Sequence, residues 1–129
     1  MTSSSTQLKP TVPTEAQEQR ALFEWAGFNF GKYPELLLLY HIPNGGSRNA
    51  IEAKNLKAQG VKPGVPDVCL PVARGQFSAL YIEMKRREGG HVSDVQRDWI
   101  ALLNRVGNKA VVCRGWEEAR DTIIEYLNE

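Results

Sequence analysis

Residues 79–85 read Ala-Leu-Tyr-Ile-Glu-Met-Lys, and no other stretch constrains the fold as tightly. Leu80, Ile82 and Met84 alternate with Tyr81, Glu83 and Lys85. Successive side chains of a strand point to opposite faces, so this pattern predicts a strand with Glu83 and Lys85 on one side and Met84 in the opposite layer. The apolar run 67–72 precedes it across a Gly75-Gln76 turn, and the two strands are expected to pair. After the Gly89-Gly90 break, Ser93 is a helix N-cap for residues 93–106, with Val92, Val95, Trp99, Leu102 and Leu103 as the buried side. Gly107 closes that helix, residues 109–113 form a short β-branched strand, and residues 116–127 a last helix whose apolar face holds Ala119, Ile123, Ile124 and Leu127.

The N-terminal half follows the same grammar. Thr14 caps a helix over residues 15–26, with Glu15, Glu18, Leu22 and Trp25 on one face and Gly27 as its end. The continuous apolar run 36–42 is short enough for a buried strand, and Pro43-Asn44-Gly45-Gly46 turns the chain. Ala50, Ile51, Ala53 and Leu56 fit a helix over residues 48–59, stopped by Gly60. Residues 1–13, polar and carrying Pro10 and Pro13, bury too little to fold and are expected to form a flexible arm, leaving residues 14–129 as one domain. Helices and strands mixed in this order predict an α/β fold whose central sheet is covered by helices on both faces.

Bulk properties narrow the function classes. The 129-residue chain is 42% hydrophobic and 24% charged, a composition typical of globular domains rather than disordered ones. Cys69 and Cys113 each sit inside an apolar run with no zinc-ligand spacing, so both are expected to be small buried hydrophobes. The start of the chain lacks the pattern of a signal peptide and no apolar run approaches membrane-spanning length, which points to a cytoplasmic protein. A net charge of +1 argues against a protein that coats nucleic acid, but the charge is unevenly distributed. Residues 48–62 carry Arg48, Lys54, Lys57 and Lys62 against Glu52, whereas residues 115–129 carry Arg120 against five acids.

The chemistry is concentrated in Pro66-Asp67 and, one hairpin later, Glu83-Met84-Lys85. If the two strands pair, Asp67 reaches the same end of the sheet as Glu83, and two carboxylates and an amine converge. Carboxylates brought together repel, and a divalent cation relieves this by taking both as oxygen ligands, which suits Mg²⁺ or Mn²⁺ more than zinc. The backbone carbonyl of Met84 is a further candidate ligand. Gln96 lies at helical spacing from Trp99, Ile100 and Leu103. An amide on that stripe costs roughly 1–3 kcal/mol unless it finds partners, so a polar pocket beside the strand ends is expected to supply them. His41 and His91 are isolated and enter no site.

Gly60-Val-Lys-Pro-Gly-Val-Pro-Asp67, Leu80-Tyr-Ile-Glu83-Met-Lys85, Ser93-x-x-Gln96-x-x-Trp99 and the Gly107 before a β-branched strand occur in this order. Together they resemble the VRR-NUC nucleases of the PD-(D/E)xK superfamily, specifically the small stand-alone versions of phages and bacteria. The resemblance implies a restriction-endonuclease-like mixed sheet and metal-dependent phosphodiester hydrolysis. It also implies structure-selective cutting of DNA, Holliday junctions included, in the cytoplasm of a bacterium or a phage-infected host. It assigns Asp67 and Glu83 as metal ligands, Lys85 as the catalytic lysine and Gln96 as the supporting residue of the downstream helix. The family's acidic residue on the first helix matches Glu15, with Glu18 on the same face as a rival.

Phosphate contacts are expected from Asn44 and Arg48 in the turn after residues 36–42, from Lys62, and from Arg86 and Arg87 beyond the catalytic strand. A four-way junction presents two related strands, so a homodimer with two centres matches its geometry. Two other functions fit the same residues: a catalytically silent DNA-binding module, and a related nuclease acting on RNA.

Overall fold

The computed structural model describes residues 11–43 and 49–129. The first helix, α1 (Glu15–Asn29), opens on a reciprocal cap: the Thr14 hydroxyl accepts from the Gln17 amide, and the Gln17 side chain accepts from the Thr14 amide. It runs through Gly27 instead of stopping there. Gly27 lies in open space at the helix surface, where a glycine weakens a helix by only about 1 kcal/mol without breaking it.

The apolar run 36–42 is mostly not a strand. Pro34 starts a 3-10 helix, Pro34–Leu38, and only Tyr40–His41 pairs as β1. Leu36 and Leu39 are buried while Leu37 and Leu38 face solvent, which fits the three-residue turn of a 3-10 helix. A run that is apolar throughout carries no period to betray this. Helix α2 (Ala50–Ala58) is capped by Asn49 and ends before Gly60, as expected, but it buries none of its residues. The notional apolar face contains Ile51, which is 74% exposed.

Strands β2 (Val68–Leu70), β3 (Leu80–Lys85) and β4 (Lys109–Arg114) complete a four-stranded sheet in the order β1-β2-β3-β4. β1 and β2 run antiparallel, as do β2 and β3, in the register Val68↔Ile82. β3 and β4 run parallel, from Leu80↔Lys109 to Lys85↔Arg114. A parallel pair needs a crossover, and α3 (Asp94–Arg105) provides it. Asn104 fastens the end of α3 to β4, accepting from the Ala110 amide at 2.9 Å and donating to its carbonyl at 3.0 Å.

The core lies between one face of the sheet and the pair α1 and α4 (Trp116–Leu127). Leu22 and Ala26 meet Val68, Leu80, Ile82 and Met84 there, together with Cys113, Ala119, Ile123 and Tyr126. The Tyr126 hydroxyl donates to the Val72 carbonyl at 2.5 Å, so this buried phenol is satisfied. α3 covers the opposite face, reached by Glu83. Its contact stripe runs through Gln96, Trp99, Ile100 and Leu103, all half-buried, while Val95 and Leu102 lie 41% and 52% exposed. The apolar side expected for this helix is therefore rotated toward the amide. Both cysteines are free and buried, and burial pushes the Cys113 thiol up to about 11. No helix among the described residues is long and apolar enough to cross a membrane.

Candidate active site

The register of β2 against β3 sets the geometry. With Val68 opposite Ile82, the residue before β2, Asp67, falls beside Glu83 at the open end of the sheet. Its Oδ2 accepts the Met84 amide at 2.8 Å, a side-chain bond that extends the pairing one step before β2 begins. The Asp67 carbonyl is held as well, by the Ile42 amide at 2.7 Å and by His41 Nδ1 at 2.8 Å. On the chain before it, Gly64 has φ +89° and packs so closely on α3 that a Cβ would lie 2.8 Å from the Val95 carbonyl oxygen. Both the left-handed backbone and the close approach demand glycine, and they lock the Asp67 loop to the start of α3.

Carboxylate oxygens of Glu15, Asp67 and Glu83 all lie within 4.8 Å of one another. Glu83 is 1% exposed. Its Oε2 accepts from Gln96 Nε2 at 3.1 Å and lies 3.5 Å from Lys85 Nζ, whereas its Oε1 is buried without a hydrogen-bond partner. Burial first, and the adjacent Asp67 second, push the Glu83 carboxyl up to about 8, with Lys85 working in the opposite direction. Lys85 is also buried, and its amine stands 3.9 Å from Glu15.

The amide of Gln96 is oriented by the helix cap. Its Oε1 accepts from the Ser93 amide at 2.9 Å, and its own backbone N–H donates to Ser93 Oγ, so Nε2 is left facing Glu83. The partners anticipated for a polar residue on this stripe are thus the cap and the carboxylate. The Met84 carbonyl is placed by register. Lys85 and Ala79 carbonyls accept from Gly115 and Lys109 on the β4 side, so the backbone groups of Met84 face the other edge, where Asp67 lies.

The two candidate glutamates of α1, Glu15 and Glu18, have separate partners. Glu15 joins the carboxylate cluster. Glu18, 1% exposed, pairs with Arg87 Nε at 2.8 Å and accepts the Trp116 amide at the start of α4 at 3.1 Å. Arg87, which is exposed, also pairs with Glu117 at 2.5 Å and so ties α1 to α4. Arg86 donates to the Val12 carbonyl at 3.3 Å, and its Nε is buried without a partner. Lys62 is exposed beside Trp99. Asn44 and Arg48 lie outside the described residues. The Glu18–Arg87 pair and the His41 contact to Asp67 were not foreseen. Glu18 and Arg87 are far apart in the chain, and only the packing of α1 against α4 brings them together.

The VRR-NUC domain model matches residues 3–117, which contain every residue of this cluster. The chain belongs to the VRR-NUC family. A solved structure described as a VRR_NUC domain protein is similar over 92% of this chain and 91% of its own, with 28% identity and a TM-score of 0.78. No curated protein matches the sequence. The mixed sheet, with helices on both faces, is thus the nuclease-type fold of the VRR-NUC family.

Proposed function

We propose that residues 14–129 form one domain that hydrolyses phosphodiester bonds in branched DNA with the help of a divalent cation. The observation that carries this reading is the buried, unpartnered Oε1 of Glu83 within a cluster of three carboxylates, beside a buried lysine. Ionising a carboxyl in such surroundings is costly, so without a cation Glu83 keeps a proton, and a divalent cation shared with Asp67 lets both carboxylates be ionised. Asp67, Glu83, Glu15 and the Met84 carbonyl offer oxygen donors only, the donor set of Mg²⁺ or Mn²⁺ rather than of zinc. When bound, such an ion activates water and neutralises charge that builds on the phosphate.

The remaining work falls to the chain. Glu83 and Asp67 must both be ionised to act as ligands, and Gln96 holds Glu83 in place through its amide. Lys85, buried between Glu83 and Glu15, directs its amine at the attacking water and the phosphoryl oxygen, accepting a proton or hydrogen-bonding the developing charge. Lys62 and Arg86 lie on segments that lead into and out of this centre, and Asn44 and Arg48 come before α2 in the sequence. All four suit backbone phosphates, a mode of binding that follows DNA shape and weakens with salt. A homodimer would set two such centres on the paired strands of a junction.

The test compares linear duplex, flap and four-way junction DNA, with RNA of the same shapes, for cleavage in Mg²⁺ and in Mn²⁺, alongside sedimentation of the protein. Preferential cutting of the branched DNA by a dimer is the expected result. Equal cutting of RNA would reassign the substrate, and binding without any product would leave a silent DNA-binding module.

A further inference from the structure

A cavity of about 440 Å³ lies beside the segments that flank Asp67 and Gln96, walled by Ile42, Pro43, Val61, Lys62, Val65 and Trp99. Two connections fix it to the centre. Ile42 donates to the Asp67 carbonyl and Val65 lies two residues before Asp67, while Trp99 follows Gln96 by one helical turn on the same side of α3. The volume falls in the range of sites that hold small organic groups, and the walls are those of such a site: mostly apolar, with one aromatic ring, the Gln59 amide and one cation.

Charge identifies the occupant. Among the described residues Lys62 has no ion pair, nor have Lys54 and Lys57 on α2, so like Arg20, Arg105 and Arg114 elsewhere they are open to an outside anion, and of these Lys62 alone lines the cavity. α2 buries none of its side chains, and the chain leaves it through Gln59 and Gly60 to bring Lys62 to the cavity wall. An apolar peptide or lipid chain would find no use for this cation. A nucleobase is a flat aromatic group with a phosphate one sugar away, and it meets the indole, the lysine and the neighbouring phosphodiester centre together.

We propose that this cavity is a subsite for one unpaired nucleobase next to the cut, stacked against Trp99 with Lys62 on the adjoining phosphate. The inference rests on the nuclease reading above and deepens it, because a paired base must first leave its stack to enter the cavity, whereas a base at a branch is already free. Stacking tolerates any base, so the subsite selects shape without reading sequence.

The test reads binding apart from cleavage. Lys85→Ala protein is titrated with branched DNA in which a 2-aminopurine, and then an abasic residue, is moved through each position flanking the cut. At one unpaired position 2-aminopurine fluorescence is expected to fall on binding, and the abasic residue there to weaken binding roughly 5- to 100-fold. Trp99→Ala in the same background loses a similar factor and no longer responds to the abasic residue, and Trp99→Phe recovers most of the affinity. The abasic series does not depend on any cavity variant folding. Affinity unchanged within about twofold at every position overturns the subsite. Wild-type cleavage of the unmodified DNA reports on the nuclease separately: cleavage with no abasic response removes the subsite alone, and neither cleavage nor binding removes both.

Discussion

At the scale of single residues, Glu83 joins the sequence pattern to the chemistry. Its folded carboxyl is raised to about 8 by burial and by Asp67, far above the unfolded value. The folded state therefore holds a proton that the unfolded chain releases, so stability is greatest below the unfolded carboxylate range and declines as pH rises toward 8. We predict that the metal-free protein melts at a lower temperature at pH 8 than at pH 5, that Mg²⁺ or Mn²⁺ largely removes this difference, and that Glu83→Gln abolishes both the decline and the cation response. A melting temperature indifferent to pH and cation in the wild type would contradict this origin of the shift. Gln96 acts on the same carboxylate from outside, and Gln96→Ala is predicted to weaken cation binding roughly 10- to 100-fold by titration calorimetry. These positions were legible in the sequence because period-2 alternation fixes a strand's faces, and an amide on an apolar stripe demands a partner. Glu15 was separable from Glu18 only in three dimensions, since both lie on one face of α1 and packing alone gives Glu18 to Arg87 and Trp116.

At the scale of elements, the site depends on three segments meeting: the end of β3, the loop into β2 and the first turn of α3. Gly64 is the tightest of these joints. Gly64→Ala imposes a left-handed alanine, costing roughly 1–2 kcal/mol, and a clash with the Val95 backbone besides. It is predicted to lower the melting temperature and, by shifting Asp67 from Glu83, to depress cleavage more than stability; a fully active variant would show that this joint does not position the site. Gly27→Ala serves as the opposite case. The position is helical and open, so the substitution is predicted to stabilise the fold by about 1 kcal/mol in denaturant unfolding and leave cleavage alone. Elements with a clear period were legible in sequence: β3, β4, α4 and the caps at Thr14 and Ser93. The run 36–42 was not, because an unbroken apolar stretch fits a strand and a 3-10 helix equally and Pro34 decides between them. The buried side assigned to α3 shifted for a related reason. The helix lies over a polar site, and the sheet there asks for Gln96 rather than Val95.

Over the whole molecule, the two faces of the sheet do different work. One is a dry core under α1 and α4, and the other, with α3, carries Glu83 and Lys85 to an open end where Asp67 and Glu15 meet them. The layer order follows from the succession of strands and helices, but the parallel pairing of β3 with β4 and the attachment of α1 to α4 come from packing between distant segments. The central claim is that this open end is a divalent-cation-dependent centre for phosphodiester hydrolysis. It is tested most directly by incubating a labelled four-way junction with wild type and with Lys85→Ala, each in Mg²⁺, in Mn²⁺ and in EDTA. Cleavage by wild type in either cation, none in EDTA, and a loss of at least about a hundredfold in Lys85→Ala is the predicted result. Cleavage that persists in EDTA, or that Lys85→Ala retains in full, would contradict it.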